Sequence, residues 1–183
     1  MKSAVVLVDI QNDYFPGGAN PLHEPEQAVG RARRVLQFSR QHGWPVCHIQ
    51  HISTKPGAIV FLPGSQGAAI HEQVAPLTGE KVYVKHVPNA FHETGLVEDL
   101  RAQEVDHLVI CGMMSHMCID TTVRAARDLG FSVTLLQDAC TTKSLTWEGN
   151  VIPARMVHNT IMASLNGSFA YVIPTDRFLS KNA

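Results

Sequence analysis

The sequence predicts an α/β fold, in which a single doubly wound, Rossmann-like sheet of about six mostly parallel strands carries helices on both faces. Short apolar runs rich in β-branched residues alternate along the chain with segments of helical spacing, the order expected for parallel strands joined by right-handed crossovers. Several of these runs are apolar throughout, as in strands that are covered on both faces. The length of 183 residues suits one domain, so residues 1–183 are expected to form it.

In the first half of the chain, apolar or alternating runs indicate the strands and a periodic apolar stripe indicates the main helix. The run Ala-Val-Val-Leu-Val at 4–8 is apolar throughout, whereas Lys-Val-Tyr-Val-Lys at 81–85 alternates, and both patterns are typical of strands. Apolar side chains recur at helical spacing over 26–42, and Gly43 lies where that helix would end. The predicted elements are strands over 4–8, 45–52 and 81–85, a helix over 26–42 and a short helix around 68–74.

The second half of the chain repeats the same two patterns. The run His-Leu-Val-Ile-Cys at 107–111 is typical of a buried strand and is followed at once by Gly112. An apolar face with helical spacing continues to Leu129, and Gly130 is placed to end that helix. The predicted elements are a helix that begins at 94, strands over 107–111, 131–136 and 169–173, and helices over 117–129 and 148–164.

Composition excludes several classes of function. With 15 basic and 16 acidic residues, the chain has no basic surface of the size that nucleic acid requires, so no nucleic-acid partner is expected. The apolar run at the N-terminus is too short for a signal peptide or a membrane span, which favours a cytoplasmic protein without a membrane partner. The four cysteines show no CxxC pair, so reduced thiols are expected, with Cys47, Cys111 and Cys140 as buried structural residues.

Three reactive side chains follow or end predicted strands, at the sheet edge where doubly wound folds bind ligands. Asp9 follows the first strand, Lys85 ends the third, and Cys118 lies where a helix opens after the fourth. With a strand order of 3-2-1-4-5, strands one and four are neighbours at the switch point, so Asp9 and Cys118 would face each other there. From spacing alone, the same residues also fit a buried cysteine, a loop-capping aspartate and a solvated lysine.

If the three side chains meet, they suit nucleophilic catalysis. A helix N-terminus and a nearby lysine are expected to lower the pKa of the Cys118 thiol. The Asp9 carboxylate can accept the thiol proton and later return it to a leaving group. Backbone amides of the 112–118 turn can provide an oxyanion hole.

Four segments carry a family resemblance in the same order along the chain. They read VVLVDIQNDYF at 5–15, FLPGSQGAAIHEQVAP at 61–76, VKHVPNAFHETGL at 84–96 and VICGMMSHMCIDTTVRAARDLGFSVTLLQDAC at 109–140. Together they resemble the isochorismatase-like cysteine hydrolases, a family that includes N-carbamoylsarcosine amidohydrolase, nicotinamidases, biuret hydrolase-like enzymes and streptothricin hydrolase. The resemblance covers nearly the whole chain.

The resemblance implies a set of functional residues. The catalytic triad would be Asp9, Lys85 and Cys118, with a cis peptide bond between Met113 and Met114 and an oxyanion hole formed by the N–H groups of Met114 and Cys118. The substrate would be a small molecule that no organic cofactor helps to convert, and the chain would form homo-oligomers, as dimers or tetramers. Side chains expected to contact the substrate are Phe15, Phe61, Phe91 and Gln11.

Two departures from the family narrow the expected function. True isochorismatases have glycine in place of the cysteine, so Cys118 favours hydrolysis of an amide, ureide or carbamoyl C–N bond over that of a vinyl ether. Nicotinamidases bind a metal through an Asp-x-His run, whereas no acidic residue lies between Cys47 and Val60 here. His48 and His51 would point to opposite faces of a strand and His71 lies further along in a loop or helix, so no metal site is expected.

Three alternatives remain at this stage. The first is a vinyl ether hydrolase of the isochorismatase type, in which Cys118 is incidental. The second is a flavodoxin-like binding module, although neither a GxGxxG nor a P-loop motif follows the first strand. The third is a family member that has lost catalysis and serves in an assembly, which an intact triad disfavours.

Overall fold

Strands and helices alternate along residues 1–182, the residues that the structure, a computed structural model, describes. Two 3₁₀ turns, Asn12–Tyr14 and Glu72–Val74, and a π-helical turn, Ser115–Ile119, lie between the longer elements. The strands are β1 (Ser3–Val8), β2 (Val46–His51), β3 (Lys81–Lys85), β4 (His107–Met113), β5 (Ser132–Thr141), β6 (Leu145–Trp147), β7 (Asn150–Ile152) and β8 (Tyr171–Ile173). The α-helices are α1 (Pro25–Gln41), α2 (Leu96–Ala102), α3 (Asp120–Asp128), α4 (Ala154–Leu165) and α5 (Thr175–Asn182).

The central sheet has six strands in the order β3-β2-β1-β4-β5-β8, and every neighbouring pair is parallel. The predicted fold class and the predicted order of the first five strands are therefore confirmed. The chain builds the sheet outward from β1 in one direction and from β4 in the other. The switch point consequently lies between the carboxyl ends of β1 and β4, where a doubly wound fold places its ligands.

The core forms where the apolar runs predict it. All the residues of β4 and all but the first of β1 are buried, because helices cover both faces of these two central strands. Helix α1 packs an apolar stripe against the sheet through Ala28, Ala32 and Val35, while Arg33 and Arg34 on its other face are exposed. None of the helices in the described range is long and apolar enough to cross a membrane.

The helix predicted over 148–164 is wrong in its first part. Residues 145–152 form the antiparallel hairpin β6–β7, and α4 begins only after Pro153. Glu148 and Gly149 both have positive φ angles, 48° and 78°, as the two central residues of a tight hairpin turn require. The short helix predicted around 68–74 is likewise reduced to a 3₁₀ turn, since Ile70 pairs with Gln11 as an isolated bridge.

Gly112 allows β4 to pass closely beside β1 just before the switch point. Its φ angle is +133°, and a Cβ atom there would lie 2.0 Å from the carbonyl oxygen of Val8. The pairing of β4 with β5 also shifts register between Ile110 and Gly112. A side chain at position 112 would therefore separate the two central strands at the edge that leads to Cys118.

Candidate active site

The structure brings Asp9, Lys85 and Cys118 together at the switch point. Lys85 Nζ lies 2.7 Å from Asp9 Oδ2 and 3.2 Å from Cys118 Sγ. The exposed fractions of the three residues are 0% for Asp9, 1% for Lys85 and 5% for Cys118. The convergence predicted from the strand order is therefore present in the geometry.

A different local feature of the chain positions each of the three side chains at the switch point. Asp9 leaves β1 with a left-handed backbone (φ 50°), which turns the chain off the sheet directly after the last strand residue. Lys85 ends β3, two strands away from β1, and its long side chain spans that separation. Cys118 lies within the π-helical turn that connects β4 to α3, and such turns occur frequently at functional sites.

The Lys85 ammonium has four acceptors at close range. Besides Asp9 and Cys118, the backbone oxygen of Val87 lies 3.0 Å from Nζ and the ring nitrogen Nδ1 of His51 lies 3.2 Å from it. The contact with Asp9 has the distance of an ion pair but is too bent for a regular hydrogen bond, so neither carboxylate oxygen has a conventional partner. The buried Asp9 carboxylate is thus held by charge and remains free to accept a proton.

The environment raises the pKa of the Cys118 thiol, which corrects the expectation that the helix N-terminus and Lys85 would lower it. Burial is the largest cause, and the negative charge of Asp9 adds to it, while Lys85 opposes both. Burial also raises the pKa of Asp9, although Lys85 counteracts it. The raised pKa of Cys118 favours a neutral thiol at rest, so attack by sulfur requires the proton to leave at the same time.

Burial disfavours the charged form of Lys85, but the groups around Lys85 raise its pKa by more than burial lowers it. Desolvation alone would lower the pKa of the ammonium, whereas the charges of Asp9 and Cys118 raise it overall. Lys85 consequently remains a cation throughout the neutral pH range. A fixed positive charge beside the sulfur stabilises any negative charge that develops there.

The turn before Cys118 has the geometry implied by the family resemblance. The peptide bond between Met113 and Met114 is cis. The carbonyl oxygen of Met114 accepts hydrogen bonds from the N–H groups of Met117 and Ile119, at 3.0 and 3.2 Å. Cys118 lies between these two residues in the π-helical turn. Its N–H group is one that the resemblance assigns to an oxyanion hole.

A cavity of about 390 Å³ opens above Cys118. Its apolar side includes Phe61 and Met114, and the edge of the Phe61 ring packs against Tyr14 with 4.8 Å between ring centroids. Burial is the main cause that raises the pKa of Tyr14, followed by the charges of Asp9 and Cys118. The full lining consists of Tyr14, Asn20, His51, Ser53, Lys55, Ala58, Ile59, Val60, Phe61, His86, Val87, Pro88, Met114, Met117 and Cys118.

Of the four side chains expected to contact substrate, Phe61 is the one in this lining. Phe15 is stacked on the ring of His71, with 4.0 Å between centroids, and Phe91 is buried and faces Phe131 at 6.1 Å. Both rings thus pack in the protein core, which differs from the expectation for them. The plain apolar character of a phenylalanine gives no sequence signal that separates the two cases.

Gln11 also lies outside the cavity, because its side chain holds the backbone together. Its amide nitrogen donates to the carbonyl oxygens of His51 and Ala68, at 2.8 and 2.7 Å, and its amide oxygen accepts from the N–H of His51 at 2.8 Å. Gln11 is fully buried. It fixes the end of β2 beside the end of β1 instead of facing a ligand.

Sequence reasoning missed His51 as a site residue. It ends β2, which lies between β1 and β3 in the sheet, so its position between Asp9 and Lys85 follows from the strand order. Desolvation, then the charges of Lys85, His86 and Lys55, lower the pKa of His51 to about 4. The imidazole is therefore neutral at physiological pH.

Asp9, His51 and Cys118 are metal-ligating residue types, and their ligand atoms lie within 4.8 Å of one another. The Lys85 ammonium, however, contacts all three at 2.7–3.2 Å and occupies the place that a cation would take. A metal ion does not fit beside it. His48 is hydrogen-bonded to Glu80 instead, with 2.9 Å between Nε2 and Oε2.

Comparisons with known proteins agree with this geometry. The family model of the isochorismatase domain matches residues 3–177. The chain is 47% identical to the isochorismatase family protein YddQ of Bacillus subtilis over 98% of this chain and 99% of that protein, and 35% identical to a streptothricin hydrolase of Streptomyces noursei over 84% and 55%. An isochorismatase structure from Pseudomonas putida superposes with a TM-score of 0.90 at 35% identity, covering 96% of this chain and 89% of that one.

Proposed function

The chain belongs to the isochorismatase family, whose members include hydrolases of amide C–N bonds, and on that premise we propose that it is a cysteine-dependent amidohydrolase. Its substrate would be a small amide, ureide or carbamoyl compound. Asp9, Lys85 and Cys118 would carry the reaction through a thioester on Cys118. The observation that carries the proposal is a buried thiol whose sulfur lies 3.2 Å from an ammonium and within 4.8 Å of a carboxylate oxygen.

In the acylation step, the Cys118 sulfur attacks the substrate carbonyl while Asp9 takes the thiol proton. Because the pKa of the thiol is raised, transfer to the neighbouring carboxylate must accompany attack. The carbonyl electron pair moves to oxygen, where the N–H groups of Met114 and Cys118 are proposed to bind it. Removal of one such donor typically costs on the order of a hundredfold or more in rate.

The tetrahedral intermediate then collapses and the C–N bond breaks. Asp9 returns its proton to the departing nitrogen, so ammonia or an amine leaves and a thioester remains on Cys118. Lys85 keeps its charge throughout and stabilises the negative charge that passes between sulfur and carboxylate.

In the second half-reaction, Asp9 takes a proton from a water molecule as its oxygen attacks the thioester carbonyl. Collapse breaks the C–S bond, the electron pair stays on sulfur, and sulfur recovers the proton from Asp9. The product is a carboxylic or carbamic acid, and the site returns to its starting state. The proposal needs no organic cofactor.

The cavity limits the size of the substrate. At about 30 Å³ for each non-hydrogen atom, a volume of 390 Å³ holds roughly a dozen such atoms. One wall is apolar and the other polar, as is usual for small-molecule sites. A compact amide fits this space.

The proposal is tested with Cys118→Ala and a panel of small amides, by measuring ammonia release. We expect the variant to lose activity and the parent to show an added acyl mass on Cys118 after rapid acid quenching. Wild-type ammonia release by Cys118→Ala would refute Cys118 as the nucleophile. Cys111→Ala, which changes a thiol buried in β4, is the matched control for loss of a cysteine.

The resemblance also leads us to propose that the chain forms homo-oligomers and acts in the cytoplasm. Light scattering coupled to size exclusion tests the first statement, and cell fractionation tests the second. A monomer, or a protein recovered outside the cytoplasm, would contradict the respective statement.

A further inference from the structure

The polar side of the cavity above Cys118 presents hydrogen-bond donors and a positive charge. The polar side chains in its lining, apart from Cys118, are Tyr14, Asn20, His51, Ser53, Lys55 and His86. None of these is a carboxylate, although the whole chain has 16 acidic residues and a net charge of −1. The local charge is therefore opposite in sign to that of the chain.

Two lysines outside the lining fix the orientation of two of these groups. The ammonium of Lys85 can only donate, so Nδ1 of His51, 3.2 Å away, must accept, and the ring proton is then on Nε2. Lys143 donates in the same way to the amide oxygen of Asn20, at 2.8 Å, which leaves the NH₂ group of Asn20 as its free end. Both side chains are thereby left with only donors to offer a substrate.

Lys55 adds a positive charge, and its ammonium group can only donate hydrogen bonds. Its effect reaches into the cavity, since it is one of the cations that lower the pKa of His51. His86 donates from Nδ1 to the backbone oxygen of Ile52 at 2.8 Å, so the orientation of its ring is fixed by the backbone and it is not one of the donors assigned to the substrate.

Two acids, Asp9 and Asp13, lie close to the cavity, and both are engaged by other groups of the protein. Asp9 pairs with Lys85, and Asp13 accepts hydrogen bonds from the N–H groups of Phe61 and Ala19, at 2.6 and 3.1 Å. Neither carboxylate belongs to the lining. Because Asp9 is already paired with Lys85, a cationic group held beside Lys55 would meet repulsion, while an anionic one would meet Lys55 and two oriented donors.

We propose that the substrate is a small amide that carries a carboxylate, held by Lys55, His51 and Asn20 while its amide carbonyl faces Cys118. This inference rests on the proposed amidohydrolase function and names its substrate class. The carboxylate supplies only acceptors, which match the donors fixed by Lys85 and Lys143. A neutral amide of the same shape would offer these donors a weaker hydrogen-bond acceptor than a carboxylate does.

The experiment compares three primary amides that differ in charge at one position: succinamate, 4-oxopentanamide and 4-aminobutanamide. They present an anion, a neutral ketone and a cation at the same distance from the same scissile bond. We expect kcat/KM to fall in that order, by about tenfold for each step. Equal values, or a preference for the cation, would overturn the inference while leaving the amidohydrolase proposal intact.

Lys55→Gln and Lys143→Met test the residues. Lys55→Gln should raise KM for succinamate about two- to fivefold, the effect of one exposed charge, and should thereby reduce the ratio of kcat/KM for succinamate to that for the neutral amide. Lys143→Met should weaken the same preference, because it frees the Asn20 amide to turn its oxygen inward. Lys2→Gln is the matched control, since it removes the same charge at the opposite edge of the sheet.

Binding to Cys118→Ala, measured by ligand-observed NMR, separates this inference from the proposed function. Preferential binding of succinamate without wild-type turnover of any amide would support the carboxylate site and refute the amidohydrolase. Turnover of all three amides without preferential binding would support the amidohydrolase and overturn the carboxylate site. Loss of preference in Lys2→Gln as well as in Lys55→Gln would show a general charge effect and would also overturn the site.

Discussion

Lys85 Nζ lies 2.7 Å from Asp9 Oδ2, and neither side chain has any exposed surface. Removal of one partner of a buried pair leaves an uncompensated charge, whereas replacement of both removes the problem. Asp9→Asn and Lys85→Met should therefore each lower the free energy of unfolding by about 3–5 kcal/mol, and the double variant should recover most of that loss. All three should lack hydrolytic activity. Urea denaturation at pH 7, together with ammonia release, measures both effects.

The matched control for this pair is Asp120→Asn. Asp120 pairs with Arg124 on the surface of α3 at 3.0 Å, with side chains that are 22% and 37% exposed. Loss of such a pair costs about 0–1 kcal/mol. The double variant of the buried pair should be more stable than either single variant. If it is not, the assigned role of burial is contradicted.

The Cys118 thiol should react slowly with iodoacetamide at neutral pH, because burial and the charge of Asp9 raise its pKa. Alkylation requires the thiolate, so the rate should rise steadily from pH 7 to pH 10 without a plateau. Asp9→Asn removes a negative charge next to sulfur and should increase the rate at every pH in that range. The measurement is the mass of the modified peptide that contains residue 118, with Cys118→Ala as the blank.

A plateau near pH 7 in the wild-type protein would show a thiolate at rest and would contradict this reading. The other three cysteines are buried as well, and burial raises the pKa of Cys47 and of Cys111 to about 12. Because Cys47 and Cys140 line other cavities, the mass of each modified peptide is needed to assign a rate to its own cysteine.

The sequence allowed the fold and the convergence of three reactive groups to be predicted, because both follow from strand order. Apolar runs identify β1 and β4, and parallel strands place their carboxyl ends at one edge, so Asp9 and Cys118 had to lie near each other. The strand order also placed the end of β2 between Asp9 and Lys85. His51 was still overlooked, because a histidine at a strand end has several common roles.

Features that depend on burial and on side-chain orientation could not be predicted in the same way. The pKa of Cys118 is set by desolvation, which outweighs the neighbouring lysine, and sequence does not give the extent of burial. The donor orientation of Asn20 depends on Lys143, which is 123 positions away in the chain. The sequence did not predict the hairpin over 145–152, because its apolar residues also fit a helical period.

Gln11→Ala should destabilise the fold at the switch point. The substitution removes the side-chain partner of the N–H and carbonyl groups of His51 and one of two donors to the carbonyl group of Ala68, which keeps the hydrogen bond from Gln50. Unsatisfied buried groups cost about 1–3 kcal/mol each, partly offset by water that enters the space, so a net loss of about 2–3 kcal/mol is expected. Because His51 then loses its anchor, kcat/KM should fall as well. Urea denaturation and steady-state kinetics at one pH measure the two losses.

Gln11→Glu is the informative companion to that variant. Its carboxylate can still accept from the N–H of His51 but cannot donate to either carbonyl oxygen. It should therefore be at least as unstable as Gln11→Ala at pH 7. A Gln11→Glu protein with wild-type stability would show that the two donated hydrogen bonds contribute nothing.

Glu80 should make the fold sensitive to acid. Burial alone would raise its pKa, but hydrogen bonds from Arg40, from the Leu77 N–H and from His48 lower it from 4.5 to about 2. A carboxyl group whose pKa is lowered by folding stabilises the folded state above its unfolded pKa. That contribution is complete above about pH 4.5 and is lost as the pH falls towards 2.

Glu80→Gln should accordingly lower the free energy of unfolding by roughly 1–2 kcal/mol at pH 7 and by progressively less between pH 4.5 and pH 2. The difference between variant and wild type in urea denaturation isolates Glu80 from the other acids, because they titrate in both proteins. Glu98→Gln is the control, since it removes an exposed carboxylate on α2. A pH-independent difference for Glu80→Gln would mean that Arg40 and His48 hold the neutral side chain as well as the charged one.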